Sequence, residues 1–383
     1  MRKVAAVLAG TLLALAGGWV TPVLPQAAPV KVGVLAPLSG FAAADGKSVL
    51  TGAEIAAEEI NGKGGLLGRR VELVVYDDQA DPKQAVSFAR RLVELDKVSL
   101  ILGGSYSGAS LAAAPVANEA GIPFMAAYAV HPDVTRGKPY AFRMGLLGPV
   151  QGRVGAQLVH DLGAKRVAVL TIQNDFGRSL EAAFREHAGK VGLEIVFAEL
   201  YPPGNQNFTP VLARIRASGA EALYASGYYA EAANLVRQAK SLGLRIPIIG
   251  QEGYDSPKFV ELAGPAAEGV LLTTTLDRDS RNPEVQNFLT KYKAKAGIPA
   301  DMVAASGYSA LKVLGMAVQK AGRLDPAAVA WTLKSMANLD TAVGHVYYFT
   351  EDGDPVKTVT VQVVRKGEFR RFRNYTAMAL VKP

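Results

Sequence analysis

Cysteine is absent from this sequence. The absence excludes disulfides, Fe–S clusters, thiol nucleophiles and Cys-ligated zinc, and it leaves no residue to carry an N-terminal lipid. It does not exclude export, because an oxidising compartment permits disulfides without requiring them. Histidine is scarce: His131, His160, His187 and His345 lie far apart, with no HExxH or paired-ligand spacing. No Gly-x-Ser-x-Gly elbow exists, and the Ser-x-x-Lys match Ser309-Ala310-Leu311-Lys312 stands alone inside a helical pattern. Catalysis and resident cofactors therefore find no support in the residue types present. The net charge of +8, from 42 Lys+Arg against 34 Asp+Glu, comes without a basic run interleaved with aromatics, so no nucleic-acid surface is expected. The densest cluster, Arg365-Lys366 through Arg370-Arg371-Phe372-Arg373, reads as the solvated face of a late strand pair.

Long apolar runs are also missing beyond the N-terminus. There, Arg2 and Lys3 precede the apolar stretch Val4–Ala16, which is short for a bilayer span and is followed by Pro22 and Pro25. Small residues at Ala16-Gly17-Gly18 and Gln26-Ala27-Ala28 offer cleavage points between 18 and 28. Residues 1–28 read as a cleaved secretory signal, which predicts a periplasmic or extracytoplasmic protein that is not a lipoprotein.

The remaining length suffices for two domains, each with its own core. Short β-rich runs alternate with amphipathic stretches. Lys31–Ala36, Val71–Tyr76, Ser99–Leu102 and Ile122–Met125 read as strands, and Val49–Ile60, Pro82–Val93 and Leu111–Ala120 as helices. After Phe142–Pro149 the rhythm restarts, with helices at Gln151–Leu162, Ser179–Val191, Phe208–Ala217 and Ala230–Leu242. The strands between them fall at Arg166–Thr171, Leu193–Ala198, Ala222–Ala225 and Ile246–Gly250. Pro283–Lys320 reads as a helical tail, and Thr341–Phe349 and Val356–Arg365 as strands around the turn Glu351-Asp352-Gly353-Asp354. Two such βα series imply two doubly wound α/β domains with parallel sheets covered on both faces.

Ligands of open α/β sheets bind beyond the carboxyl ends of the strands. Periodicity alone thus nominates the strand-to-helix turns Pro37–Gly46, Gly103–Ser110, Ala126–Pro132, Thr171–Gly177, Ser226–Glu231 and Gly250–Asp255 as walls of a cleft. The stretch from Gly40 to Lys47-Ser48 is not a phosphate loop, since five residues separate Gly40 from Gly46 where four are needed. Asp77-Asp78 with Asp81 lacks the central Gly and terminal Glu of a calcium loop, and Asp81 is better read as the cap of a helix opened by Pro82. The turns do carry hydrogen-bonding and aromatic groups: Ser105, Tyr106, Ser107, Tyr128, Phe176, Tyr228, Tyr229 and Glu252. Ser107, at a predicted helix start, suits a carboxylate; Glu252, after an apolar strand, needs a cationic partner or solvent. Together these groups fit a zwitterion.

Several ordered fragments resemble the branched-chain (Leu/Ile/Val) amino-acid periplasmic binding proteins. They are Pro37-Leu38-Ser39-Gly40, Thr51-Gly52-Ala53-Glu54, Ile60-Asn61-Gly62-Lys63-Gly64-Gly65, Tyr76-Asp77-Asp78 with Asp81-Pro82-Lys83-Gln84-Ala85-Val86, Leu235-Val236-Arg237-Gln238-Ala239 and Gly250-Gln251-Glu252-Gly253. The resemblance implies a type I periplasmic binding protein, two doubly wound Rossmann-like lobes joined by a three-strand hinge that closes around one solute. Lobe 1 would comprise 29–146 plus 277–349, and lobe 2 147–276 plus 350–383. Ser107 falls on the Ser that holds the ligand carboxylate, Glu252 on the acid that holds its ammonium, and Tyr228 on a cleft Tyr of the second lobe. Tyr128, Ala129 and Val130 fall on an Ala-Ala-Thr stretch, Phe176 on a Tyr, and Asp45 on an aromatic position. Val130 and Phe176 thus lack a hydroxyl, and two acids face the cleft, which favours a cationic or polar ligand over leucine. The implied partners are an amino-acid-like solute and the permease subunits of an ABC importer, with the chain itself a monomer. An aromatic acid, amide or urea-like cargo, or a sensing role without transport, is the alternative.

Overall fold

A computed structural model describes residues 27–383, so nearly all of the segment read as a signal lies outside the described residues. The chain opens with β1 (Val30–Ala36), whose alternate valines Val30, Val32 and Val34 are fully buried. Burying such a side chain stabilises by about 1.5–3 kcal/mol, and β-branching suits the pleated, doubly covered sheet. Helix α1 (Ala43–Gly62), β2 (Val71–Asp77), α2 (Pro82–Glu94), β3 (Leu100–Gly103), α3 (Ser107–Glu119), β4 (Phe124–Ala126) and β5 (Ala141–Arg143) follow. Asp81 caps α2 by accepting from the Lys83 and Gln84 amides, ahead of Pro82, as its position in sequence suggested. The five strands run parallel in the order β2-β1-β3-β4-β5.

A second series repeats this winding: α4 (Gly148–Asp161), β6 (Arg166–Ile172), α5 (Asp175–Lys190), β7 (Glu194–Tyr201), α6 (Thr209–Ala217), β8 (Ala222–Ala225), α7 (Tyr229–Ser241), β9 (Ile248–Gly250), α8 (Pro257–Ala263) and β10 (Leu271–Thr274). Its parallel strands lie in the order β7-β6-β8-β9-β10, the same permutation as the first sheet. The chain then returns to pack α9 (Pro283–Ala296) and α10 (Met302–Ala321) on α1, followed by α11 (Pro326–Ser335). Gly52 makes the α1–α10 approach feasible, because a Cβ there would lie 2.1 Å from the Ala304 carbonyl oxygen. Strands β11 (Ala337–Thr341), β12 (Gly344–Phe349) and β13 (Pro355–Lys357) form a small antiparallel sheet. Finally β14 (Val359–Arg365) and β15 (Glu368–Tyr375) extend the second sheet antiparallel, and α12 (Met378–Val381) ends the chain.

Several details depart from the sequence reading. The tail 283–320 is two helices, because Gly297 ends α9 in the left-handed region and Asp301 caps α10 through the Ala304 amide. Helix α11 went unread. The run Val356–Arg365 is two strands belonging to different sheets, parted at Thr358. Residues 350–357 stay with the first lobe's side, since β13 pairs with β12 and Asp354 accepts from Thr135 and Arg143. The chain therefore passes between the sheets at Met144–Leu147, at 275–282 and at Thr358.

Candidate functional site

The order shared by both sheets places a topological switch between β1 and β3 and another between β6 and β8. The turns beyond those strands carry Asp45, Tyr106 and Ser107 on one side, and Phe176 and Tyr228 on the other. They meet in one cleft, lined also by Tyr128, Glu252, Gly253, Asp255, Ser256, Met302 and Val303. The open space among them is about 20 Å³, room for about one water.

The first lobe's wall is tied by hydrogen bonds within its own lobe. Tyr106 donates to the Asp45 carboxylate at 2.6 Å, and Tyr128 donates to the Gly104 carbonyl at 3.0 Å. Burial lifts the Asp45 carboxyl from its ordinary 3.8 to about 7, with the charge of Asp301 adding and the Tyr106 hydrogen bond opposing. Ser107 opens α3, and its Oγ accepts from the Val130 and His131 amides at 3.2 and 3.4 Å. Its own proton is left to donate, beside the free amides of a 13-residue helix.

On the second lobe, Glu252 sits in a short turn after β9, held close by Gly253, where a Cβ would lie 2.2 Å from the Gly227 carbonyl oxygen. Its amide donates to Gln151 Oε1 at 3.4 Å, while its own Oε2 and Gln151 Nε2 are buried without hydrogen-bond partners. Burial drives the Glu252 carboxyl from 4.5 up to about 8, with the Lys357 charge as the strongest opposing influence. Asp255 accepts from Thr274 at 2.6 Å and pairs with Arg278, so its charge is neutralised in place.

Aromatic rings join the walls. Tyr228 stacks on Tyr106 of the opposite lobe at 4.3 Å and 7°, and on Phe176 at 5.2 Å, while Tyr128 meets Tyr106 edge-on. Such pairs are worth about 0.5–1.5 kcal/mol each beyond burial. Tyr229 donates to the Phe41 carbonyl at 3.1 Å, a further tie across the mouth. A solute of amino-acid size enters only when the lobes part and these rings separate.

Seven residues singled out from sequence share the cleft: Asp45, Tyr106, Ser107, Tyr128, Phe176, Tyr228 and Glu252. Four do not line it, Tyr229 at the mouth among them. Ser105 turns inward to donate to Asp78 at 3.0 Å, the Ala129 carbonyl accepts from Arg143, and Val130 contributes its amide to Ser107. Sequence reasoning missed Met302 and Val303, which enter because α10 begins at Met302. The signal was present in Gly297, Pro299 and Asp301, a helix stop followed by a helix start. It also missed Gln151, whose Oε1 accepts from the Glu252 amide and for which no local motif exists. Ser309 and Lys312 form no catalytic pair, because Lys312 is engaged by Glu59 and Glu284 and the Ser309 hydroxyl is buried without a partner. His131 lies off the cleft and accepts from the Asp133 amide.

Two doubly wound lobes, three crossovers and one polar–aromatic cleft between them define a ligand-capturing protein of the two-lobed, hinged class. The chain belongs to the branched-chain amino-acid family of periplasmic binding proteins: the periplasmic binding protein family model matches residues 29–368. The Leu/Ile/Val-binding protein homolog 3 of Brucella melitensis is 34% identical over 85% of this chain and 89% of that protein. The crystal structure of a leucine-binding protein, LivK, from Thermotoga maritima superposes with a TM-score of 0.85 at 32% identity, covering 91% of this chain and 99% of that one. The branched-chain amino acid substrate-binding protein LivJ of Streptococcus pneumoniae, in complex with isoleucine, gives a TM-score of 0.83 at 27% identity, covering 90% and 98%.

Proposed function

We propose that this chain is the extracytoplasmic solute-binding protein of an ABC importer, capturing an amino acid or amino-acid-like solute by closure of its lobes. The observation that carries the reading is the pairing of Ser107 with Glu252 on opposite walls of one cleft. Ser107 offers a hydroxyl proton beside a helix N-terminus, which suits a carboxylate. Glu252 offers a buried carboxyl with an unmet oxygen; burial pushes it up to about 8, and an arriving cation favours its ionised form, which suits an ammonium. The relatives named above, described as binding Leu, Ile or Val, support the same class of solute.

Asp45 sharpens the specificity reading. It accepts a hydrogen bond from Tyr106, and burial with the nearby charge of Asp301 pushes its carboxyl up to about 7, so it brings only part of a negative charge at neutral pH. The site favours an ammonium-bearing ligand with a polar or aromatic side chain over leucine. Lobe 1 comprises residues 29–146 with 277 to the third crossover, and lobe 2 the remainder. The chain acts as a monomer, reaches the periplasm through the leader at 1–28, hands its solute to permease subunits, and performs no turnover. Among the described residues no helix is long and apolar enough to cross a membrane.

The test is isothermal titration of refolded, ligand-stripped protein against the twenty L-amino acids, their amides and small carboxylates. Binding of one or more amino acids, weakened by Glu252→Ala, is the expected result. The column of Phe176, Tyr228, Tyr106 and Tyr128 favours a second reading, an aromatic acid as cargo. Tight benzoate binding undiminished by Glu252→Ala would select it.

A further inference from the structure

The rings that close the cleft also wall a second space. Beside Tyr228 lies a chamber of about 350 Å³, lined by Tyr228, Tyr229, Glu231 and Asn234 around the start of α7, by residues 203–206 after β7, and by Phe41 of the opposite lobe. Tyr228 lines both spaces, and the cleft proper keeps only about 20 Å³ open. Because Phe41 comes from the first lobe and the rest from the second, the closure that completes the cleft completes the chamber as well.

Phe41 sits in the turn Gly40–Ala42, which Gly40 opens in the left-handed region at φ +74°. Its ring is 64% exposed, yet the residue is held in place. Its carbonyl accepts from Tyr229 at 3.1 Å, and its ring lies 5.9 Å from that of Tyr106 and 6.4 Å from that of Tyr228. A single exposed apolar side chain means little by itself. A fixed ring over a cavity shared by both lobes offers a free face for stacking. The rest of the lining is polar and includes no Lys, Arg or His. Glu231 accepts from the Gly204 amide at 2.9 Å, Asn234 accepts from Arg237 at 2.5 Å, and Asn205 donates to the Asn207 carbonyl at 3.1 Å. Each of these amides has a second end, an acceptor on Asn205 and a donor on Asn234.

We propose that this chamber is the side-chain subsite of the solute: Ser107 and Glu252 hold the amino-acid head in the cleft, and an aromatic side chain with a polar edge passes beside Tyr228 and stacks on Phe41. This rests on the amino-acid reading above and narrows the solute to the aromatic amino acids. A cavity of about 150 Å³ holds a benzene ring, which the chamber exceeds and the cleft does not approach. An anionic side chain meets Glu231 with no cation in the lining, and a methyl side chain leaves the chamber unfilled.

The experiment titrates refolded wild type, Ala230→Trp and Phe41→Ala calorimetrically with the twenty L-amino acids. Ala230 is exposed on the first turn of α7 and lines the chamber, so a Trp there fills the space without entering the core. Expected is that wild type binds L-tryptophan, L-tyrosine or L-phenylalanine about tenfold or more tighter than L-leucine and L-alanine. Ala230→Trp then weakens the aromatic ligands by about tenfold or more and L-alanine by less than about threefold. Phe41→Ala, which keeps the carbonyl that Tyr229 uses, weakens the aromatic ligands by about threefold to tenfold, the worth of one ring pair. L-leucine or L-alanine bound as tightly as the aromatic ligands overturns the subsite and leaves amino-acid capture standing. An equal loss for every ligand in Ala230→Trp does the same, since it marks a change in closure alone. Wild type that binds none of the twenty overturns both. An unchanged melting temperature shows that each variant folds; should Ala230→Trp not fold, Gln206→Trp fills the chamber from the exposed loop and must give the same pattern or overturn the subsite.

Discussion

On the first lobe's wall Asp45, Tyr106, Ser107 and Tyr128 all hydrogen-bond within their own lobe, whereas on the second lobe Glu252 and its neighbour Gln151 keep buried polar atoms without partners. The first wall is organised before any solute arrives; its geometry costs nothing further at the moment of binding. The second wall carries unmet capacity, which disfavours closure on its own and rewards closure around a ligand that supplies a cation. Affinity should therefore depend most on the second wall, and stability of the ligand-free protein most on the first.

Glu252→Gln gives the largest effect expected from that contrast. Removing one partner of a buried charge pair costs about 2–5 kcal/mol, a loss of affinity of at least about thirtyfold, read by titration calorimetry. The same variant should melt no lower than wild type at pH 8 without ligand, because a carboxyl that burial lifts to about 8 is gone. A large loss of stability would erase the contrast between the walls.

Ser107→Ala comes next. A hydrogen bond to a charged group is worth about 1.5–3 kcal/mol, so the dissociation constant should rise about tenfold to a hundredfold. The Val130 and His131 amides lose their acceptor, and the melting temperature falls as well.

Thermal melts of ligand-free protein then test the first wall through Asp45. Its carboxyl is near 3.8 when unfolded and about 7 when folded, so the folded state binds more protons between those values. Its contribution to stability is lost as pH rises from about 4 through 7. Glu252 and Asp301, raised to about 8 and about 6, act in the same sense. The expected result is a melting temperature several degrees higher at pH 5 than at pH 8, with Asp45→Asn flattening part of the slope. Tyr128→Phe should have the smallest effect: about 1 kcal/mol of stability lost with the Gly104 hydrogen bond, and a dissociation constant within about threefold of wild type.

The winding of both lobes was legible because strand and helix have different periods, and capping residues such as Asp81 mark starts independently of tertiary context. The cleft followed from the same reading, since side chains at carboxyl ends of parallel strands converge whatever their identity. Direction of side chains was not legible. Ser105 and Ser107 are two residues apart in one turn, yet one points inward to Asp78 and the other opens a helix at the cleft. The parting of β13 from β14 was not legible for a different reason: Val356–Arg365 reads as one β-rich run, and only the pairing of β13 with β12 and of β14 with β10 puts the break at Thr358.

The proposal that one wall takes a carboxylate and the other an ammonium has a direct test. Calorimetric titration of refolded wild type with its tightest-binding L-amino acid, and with the acid that lacks only the amino group, tests this most directly. The expected result is at least about thirtyfold weaker binding of the deaminated acid, with Glu252→Gln no longer distinguishing the two. Equal affinity of wild type for both would contradict the account.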